Sequence, residues 1–404
     1  MIPHLCPRLP SLPARLMTVT ALFTIAGGNA AFAQQQETMR EALTFLLINR
    51  SVVTDDFERD TLAAERTRDA LVSVLGRAVG TIAVPTSGSG FVYRFNPDLG
   101  SFERSSATFG GFFVDRAQTI GRGRTSFTVT YDDTRFDAID GHDLDDGTLM
   151  TVGGRLRTEP QPFDAETLEL HLRASRVIAT GHVGISDRFE IGAAVPIVTL
   201  RMDGERVDTY RSVRSVQASA SASATGLGDL IVRGKYALWT RAGDGVSAGA
   251  ELHLPTGDAD QLLGTGKPAF KPRVIGSLER QRVALHGEAG YVFGEITNGL
   301  EFGGALTVAA HPALTLAFEL LSQQRGAAGE LTTVVEPHPT LVGVDTIRLT
   351  ALDDDRARTM ATFGLKWNVG STWLLAFNLS RSLTSAGLTA GWSPAVTLDY
   401  SFVR

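Results

Sequence analysis

The sequence predicts an all-β protein: a transmembrane, antiparallel up-and-down β-barrel of about 12 strands, preceded by an N-terminal α-helical segment. Three observations carry this. From Gly123 to the C-terminus, apolar and polar residues alternate with period two in twelve separate runs. The apolar runs are about 9–11 residues long, the length a tilted strand needs to cross a bilayer. The connections alternate short and long, as in outer-membrane barrels with short periplasmic turns and longer external loops.

Composition narrows the alternatives. The 404 residues include 38 basic and 44 acidic side chains with no dominant basic run, which excludes nucleic acid as a partner. At 43% hydrophobic the chain is not disordered. Beyond the leader no stretch approaches ~20 consecutive apolar residues, so a helical membrane bundle is excluded.

Residues 1–33 read as a signal peptide. Arg8 and Arg15 make a positive n-region, Leu16 to Gly28 a short apolar core, and Ala31-Phe32-Ala33 a small-x-small cleavage site. Cleavage removes Cys6, the single cysteine, so the exported chain is held by hydrogen-bonded structure and not by disulfides. The leader suits a bacterial envelope protein; together with the barrel pattern it gives the bacterial cell outer membrane as the expected location, with outer-membrane lipid and the barrel-assembly machinery as expected partners.

Residues 34–122 form a second region. Leu43, Leu46 and Leu47 recur at helical spacing, and a second helical stretch runs from Asp55 to Leu75. Asp55 and Glu58 have capping-box spacing, and Gly76 and Gly80 can end the helix. Residues 84–122 are rich in Gly, Ser and Pro and read as mostly irregular chain. This region fits either a small periplasmic unit or a plug folded into the barrel mouth.

The barrel, 123–404, is read from twelve runs: 123–137, 164–183, 188–201, 227–240, 245–255, 269–281, 283–293, 300–310, 313–322, 357–367, 372–381 and 394–403. In 164–183, Leu168, Leu170 and Leu172 alternate with Glu169, His171 and Arg173; in 372–381, Trp373, Leu375, Phe377 and Leu379 alternate with Asn378, Ser380 and Arg381. Charges in mid-strand would cost several kcal/mol each in a packed soluble interior, so the apolar face is expected outward. Longer loops are expected at 138–163, 203–226, 256–268, 294–299, 323–356 and 382–391. Phe189, Tyr236, Trp367, Trp373, Tyr400 and Phe402 then fall at the periplasmic strand ends, and Phe270, Tyr291, Phe293, Phe302 and Trp392 at the external ends, as interfacial girdles.

Two stretches, GLGDLIVRGKY (226–236) and ELHLPTGDADQLLGTG (251–266), resemble the outer-membrane proteins of the MetA-pathway of phenol degradation family. The resemblance covers about residues 123–404 and is strongest over 180–310. It implies a transporter-like barrel passing small aromatic or hydrophobic molecules, without fixing a substrate, and it does not extend to the N-terminal helices.

The expected lumen-facing set is Arg173, Glu190, Arg233, Lys235, Glu251, His253, Arg273, His286, Glu288, Glu301, Glu319 and Lys366, with Asp399. Both signs are interspersed. The set fits a ladder of salt bridges that stiffens the wall or binds a plug, and equally a polar path for a small-molecule solute. Ser247, His253, Ser277 and His286 could suggest a hydrolase, but no nucleophile-elbow motif and no metal-spaced His pair occurs, so neither an enzyme nor a cofactor is expected. The acidic loop Asp140 to Gly147 lacks EF-hand spacing and reads as an exposed loop, as do Asp258 and Asp260. The Ser/Ala-rich stretch Ser215 to Thr225 reads as a mobile loop. A plugged barrel without transport is the alternative function.

Overall fold

The computed structural model describes residues 38–49, 59–86, 93–96, 101–104, 106–296, 298–326, 330–352, 356–370 and 372–403. The leader and the Asp55/Glu58 pair lie outside the described residues. Twelve antiparallel strands close into a ring: β1 (Arg124–Phe136), β2 (Asp164–Gly184), β3 (Phe189–Tyr210), β4 (Leu230–Arg241), β5 (Asp244–Leu254), β6 (Ala269–Arg280), β7 (Val283–Gly294), β8 (Asn298–His311), β9 (Leu314–Gly326), β10 (Ala357–Gly370), β11 (Trp373–Ser382) and β12 (Ser393–Val403). The last strand returns to the first, with Val396 opposite Tyr131 and Leu398 opposite Val129. Closure leaves no unpaired edge in the ring, the condition for a sheet in hydrocarbon, where a bare N–H or C=O finds no water.

The pleat sends alternate residues to opposite faces. Leu285, Phe363 and Leu398 point outward and are 53%, 59% and 43% exposed, while Thr307, Glu319 and Lys366 point inward and are fully buried. A water-soluble protein would not expose so continuous an apolar belt. The barrel is membrane-spanning, with lipid against that belt. At the end carrying the short turns, Trp373 stacks on Tyr400 (4.6 Å between centroids) and Tyr400 on Phe402 (5.5 Å); near the other end Tyr291 meets Phe293 at 4.6 Å. The turns themselves are tight. Between β4 and β5, Ala242 and Gly243 both take positive φ, 45° and 92°, a conformation suited to a two-residue hairpin.

Several expected loops are strands. Leu149–Leu156, Val213–Leu227, Glu330–Pro337 and Val344–Leu352 pair with one another and with the far halves of β2 and β3, raising one side of the wall at the loop end. The Ser/Ala stretch 215–225 belongs to this wall and is not a loose loop. The expected long loop 294–299 is also corrected: residues 295–297 alone separate β7 from β8.

β2 explains the one misplaced site residue. It runs 21 residues, and its even-numbered positions face inward from Asp164 to Gly184. The phase never changes, but the surroundings do. In the outer half, Leu168, Leu170 and Leu172 are buried against the N-terminal helices, and Arg173 is on the outside, its side chain 54% exposed. In the inner half, Arg176, Thr180 and His182 face the lumen while Val177 and Val183 face outward. Arg173 therefore does not line the lumen, as expected from its run, because its half of the strand stands beyond the lipid, where water lies outside and apolar side chains lie within.

The helices fill that raised end. α1 (Met39–Ile48) begins with a capping box, Glu41 N–H to Thr38 Oγ1 at 3.1 Å and Thr38 N–H to Glu41 Oε2 at 2.7 Å. α2 (Thr61–Gly80) is capped by Asp60, which accepts from Ala63 N–H at 2.9 Å; it runs through Gly76 and ends at Gly80. Met39, Leu43, Leu46 and Leu47 of α1 join Leu71 and Leu75 of α2, Leu168, Leu170 and Leu200 of the wall, and Ala218 and Ala224 of the Ser/Ala strand in one core. The small residues let α1 lie close. Gly204 shows how close, since a Cβ there would sit 2.7 Å from Leu46 Cδ1.

Candidate functional site

Below the helices the chain enters the lumen as irregular backbone. Buried N–H and C=O groups outside regular structure need partners, and the barrel wall supplies them from side chains. Arg176 donates to the carbonyls of Ile82 (3.2 Å) and Ala83 (3.1 Å), and Arg233 to those of Val84 (3.4 Å) and Pro85 (2.9 Å). Further along, Glu319 accepts from the N–H groups of Phe112, Phe113 (2.8 Å) and Val114 (3.3 Å). Lys366 donates to the Gly111 carbonyl and sits 4.5 Å from the centroid of the Phe112 ring. Ser277 accepts from Ala117 N–H at 2.9 Å, Ser247 donates to Ala117 O, and Glu190 accepts from Ile120 N–H at 2.7 Å. At the turn end Gly123 N–H donates to Gly184 O at 2.9 Å, and β1 begins.

Asp115 is the centre of the arrangement. It is 3.1 Å from Lys235 Nζ and 3.1 Å from Arg273, and its own N–H donates to Glu288 at 3.2 Å. Lys235 also pairs with Glu190 (2.9 Å), and Arg273 with Glu288 (2.9 Å). Glu251 joins Arg233 (3.1 Å), Lys271 (2.9 Å) and Arg273 (3.5 Å), with His253 at 3.5 Å; Lys271 continues to Glu301 at 3.1 Å. Charges are tolerable in a dry interior only when each has opposite neighbours and satisfied hydrogen bonds, and here the two signs alternate through the chain of contacts. Burial raises the Asp115 carboxyl, but the attraction of Lys235 and Arg273 outweighs it and holds the group down at about 2.

Of the expected set, Glu190, Arg233, Lys235, Glu251, Arg273, His286, Glu288, Glu301, Glu319 and Lys366 are inward members of this wall, His253 stands at its margin, and Arg173 is outside. Asp399 is also inward, accepting from Thr128 Oγ1 at 2.6 Å. Members that escaped the sequence reading include Lys271, Arg176 and Asp115. Lys271 and Arg176 lie two residues from Arg273 and four from Thr180 on inward faces, so parity could have found them. Asp115 sits in irregular chain with no periodic signal.

Ser277 and His286 do meet, Oγ to Nδ1 at 2.9 Å, with Thr307 Oγ1 3.5 Å from the other ring nitrogen. The pair links two neighbouring wall strands, and the same hydroxyl accepts from Ala117 N–H, which ties the lumen segment to it. Among the described residues no group of three His, Cys, Asp or Glu is placed to hold a metal. In the acidic loop, Asp145 is taken by Arg135 (2.6 Å) and His171 (2.8 Å), and Asp140 by the N–H groups of Leu331 (2.9 Å) and Gly387 (2.6 Å).

Two cavities flank residues 81–86. One, of about 110 Å³, is lined by the apolar residues Ile82, Val84, Phe113, Leu321 and Ile296 and by the polar residues Arg233, Glu251, His253 and Lys271. The other, of about 70 Å³, lies against Arg176, Phe136 and Met360.

A family model described as "Putative MetA-pathway of phenol degradation" matches residues 135–393, well over half of the chain. No curated protein matches it in sequence. Among solved structures, an outer-membrane channel from Pseudomonas putida F1 is 16% identical, with 71% of this chain and 98% of that chain covered and a TM-score of 0.45. A mutant of the monoaromatic hydrocarbon channel TodX is 9% identical over 80% of this chain and 98% of its own, with a TM-score of 0.35. The KdgM porin is 9% identical over 68% and 99%, with a TM-score of 0.36.

Proposed function

The chain belongs to the MetA-pathway of phenol degradation family, and from that premise we propose that it is an outer-membrane channel for small molecules, held closed at rest by its own N-terminal segment. Residues 34–122 act as the plug, the signal peptide delivers the chain to the envelope, and the barrel-assembly machinery inserts it. The observation that carries this reading is the way the lumen is filled. The wall holds residues 82–85 and 111–120 mainly through their main-chain atoms, so the segment is gripped without being part of the sheet.

The solute class we favour has an apolar, aromatic-sized body and one polar group. What supports it is the larger cavity, whose lining includes both apolar residues (Ile82, Val84, Phe113) and polar ones (Arg233, Glu251, His253). Arg233, Lys235, Glu251, Arg273 and Glu288 then serve both as the plug's ladder and, once it shifts, as the polar side of the path.

Planar-bilayer recording tests the proposal. The full mature chain should conduct little, and Glu319→Ala, which strips the acceptor from three buried N–H groups, should conduct measurably more. Swelling of liposomes by phenol-like solutes should rise with it. Equal, negligible conductance in both proteins, and in a version lacking 34–122, would leave a sealed structural barrel as the better reading.

A further inference from the structure

One charged feature lies outside the lumen and has no part in the channel. On the outer face of β1, β2 and β3, Arg135 is directly opposite Arg173, and Arg173 directly opposite Arg201. All three side chains point away from the barrel. Directly opposed residues have Cβ atoms ~4.5–5.5 Å apart, and like charges so placed repel. Nearby acids answer this only in part. Asp133 takes Arg173 (Nε to Oδ1 at 2.9 Å) and Asp145 takes Arg135, but Arg201 forms no ion pair among the described residues. The next carboxylates outward on β2 and β3, Glu169, Asp203 and Glu205, lie two to four residues further from the lipid.

The height of the row matters. Its nearest outward apolar neighbours toward the membrane are Tyr131, Val177 and Ile197, which are cross-strand partners and are 48%, 39% and 46% exposed. Four residues separate Tyr131 from Arg135, about 13 Å along the strand and about 9 Å along the membrane normal at a 45° tilt. The row between holds only Asp133, Ser175 and Thr199, so the long arginine stems can lean back over short side chains to the headgroup layer. A guanidinium presents a planar fork of donors that matches phosphate oxygens.

The geometry points to a binding site for phosphate groups of outer-leaflet lipid, formed by Arg135, Arg173 and Arg201 at the membrane surface. Asp133 and Asp145 balance the three arginines only in part, Asp133 being shared between Arg173 and the more distant Arg201; a lipid phosphate supplies the remaining counter-charge at the depth where the row stands. The inference rests on the reading of the apolar belt as lipid-facing.

The test uses the full mature chain reconstituted in vesicles of phosphatidylcholine alone, with phosphorylated lipid A, or with the same lipid A stripped of phosphate. Lipid retained after detergent extraction is measured for the wild type and for a variant carrying Arg135→Gln, Arg173→Gln and Arg201→Gln. The wild type should retain phosphorylated lipid A, and the triple variant at least about tenfold less. Arg280→Gln, at the turn end, should behave as the wild type. Equal retention by the triple variant, equal retention of the dephosphorylated lipid, or release of the lipid by inorganic phosphate would each overturn the proposal. Resistance of all proteins to carbonate extraction tests the membrane reading separately, since a barrel that washes off the vesicles fails before lipid choice is measured.

Discussion

Lys235 meets Asp115 at 3.1 Å, a contact between the barrel wall and a residue 120 positions earlier in the chain. It is one of two cationic contacts on a single carboxylate, the other being Arg273, and it ties irregular backbone to β4 and β6. Removing that carboxylate should therefore loosen the segment without touching the ring.

Asp115→Asn is expected to leave the barrel folded and to weaken retention of the lumen segment by about 2 kcal/mol. That is less than the ~3–5 of an isolated buried pair, because Lys235 keeps Glu190 and Arg273 keeps Glu288. Single-channel recording should show more frequent openings. Unchanged open probability would place the latch elsewhere.

The same group gives a pH dependence. Its carboxyl is held at about 2 in the folded protein against an ordinary value of 3.8. A depressed folded pKa contributes stability that is present above the unfolded value and lost as pH falls through the folded one. Retention of the segment should thus weaken between about pH 4 and pH 2. Because other carboxylates titrate as well, the informative measurement is the difference between wild type and Asp115→Asn, which should vanish at the acid end of that window.

Gly204→Val should displace α1. The added Cβ would lie 2.7 Å from Leu46 and 3.1 Å from Leu170, and overpacking of this kind costs about 1–3 kcal/mol. Hydrogen exchange at the amides of Leu46 and Leu47 should accelerate, while exchange in β6 to β9 stays as it was.

On the lipid side, Phe363→Arg should impair membrane assembly, as a cation near mid-bilayer on a barrel's outer face costs about 2–4 kcal/mol. Phe363→Leu should assemble normally. The fraction resisting heat denaturation on a gel reads the difference directly.

The ring of twelve was legible because each strand has a fixed phase and, within the lipid belt, lipid and lumen demand opposite chemistry. Leu398 and Asp399 announce their faces by themselves. Arg173 was misread for the same reason: alternation reports that two faces differ, not which one is wet, and β2 passes from lipid to water partway along. The strand 213–227 was missed because Ser and Ala differ too little in hydropathy to show a period, although the Ala residues do alternate inward. Most of residues 111–120 left no trace because the wall holds them by their backbone, which leaves no mark on residue type; Asp115 is held by its side chain but lies in irregular chain where no period singles it out. The helices were visible and Gly80 does end α2, but the N-caps Thr38 and Asp60 were not singled out, being short polar residues like many others.

The closing seam between β12 and β1 has a consequence for biogenesis. The seam needs the last residues of the chain, whereas the lumen segment precedes β1 and leads straight into it at the turn end. A finished cylinder would have to be threaded lengthwise. If the lumen segment is the plug we propose, it is expected to lie in the half-built trough when the final hairpin zips shut, enclosed during construction and not inserted afterwards.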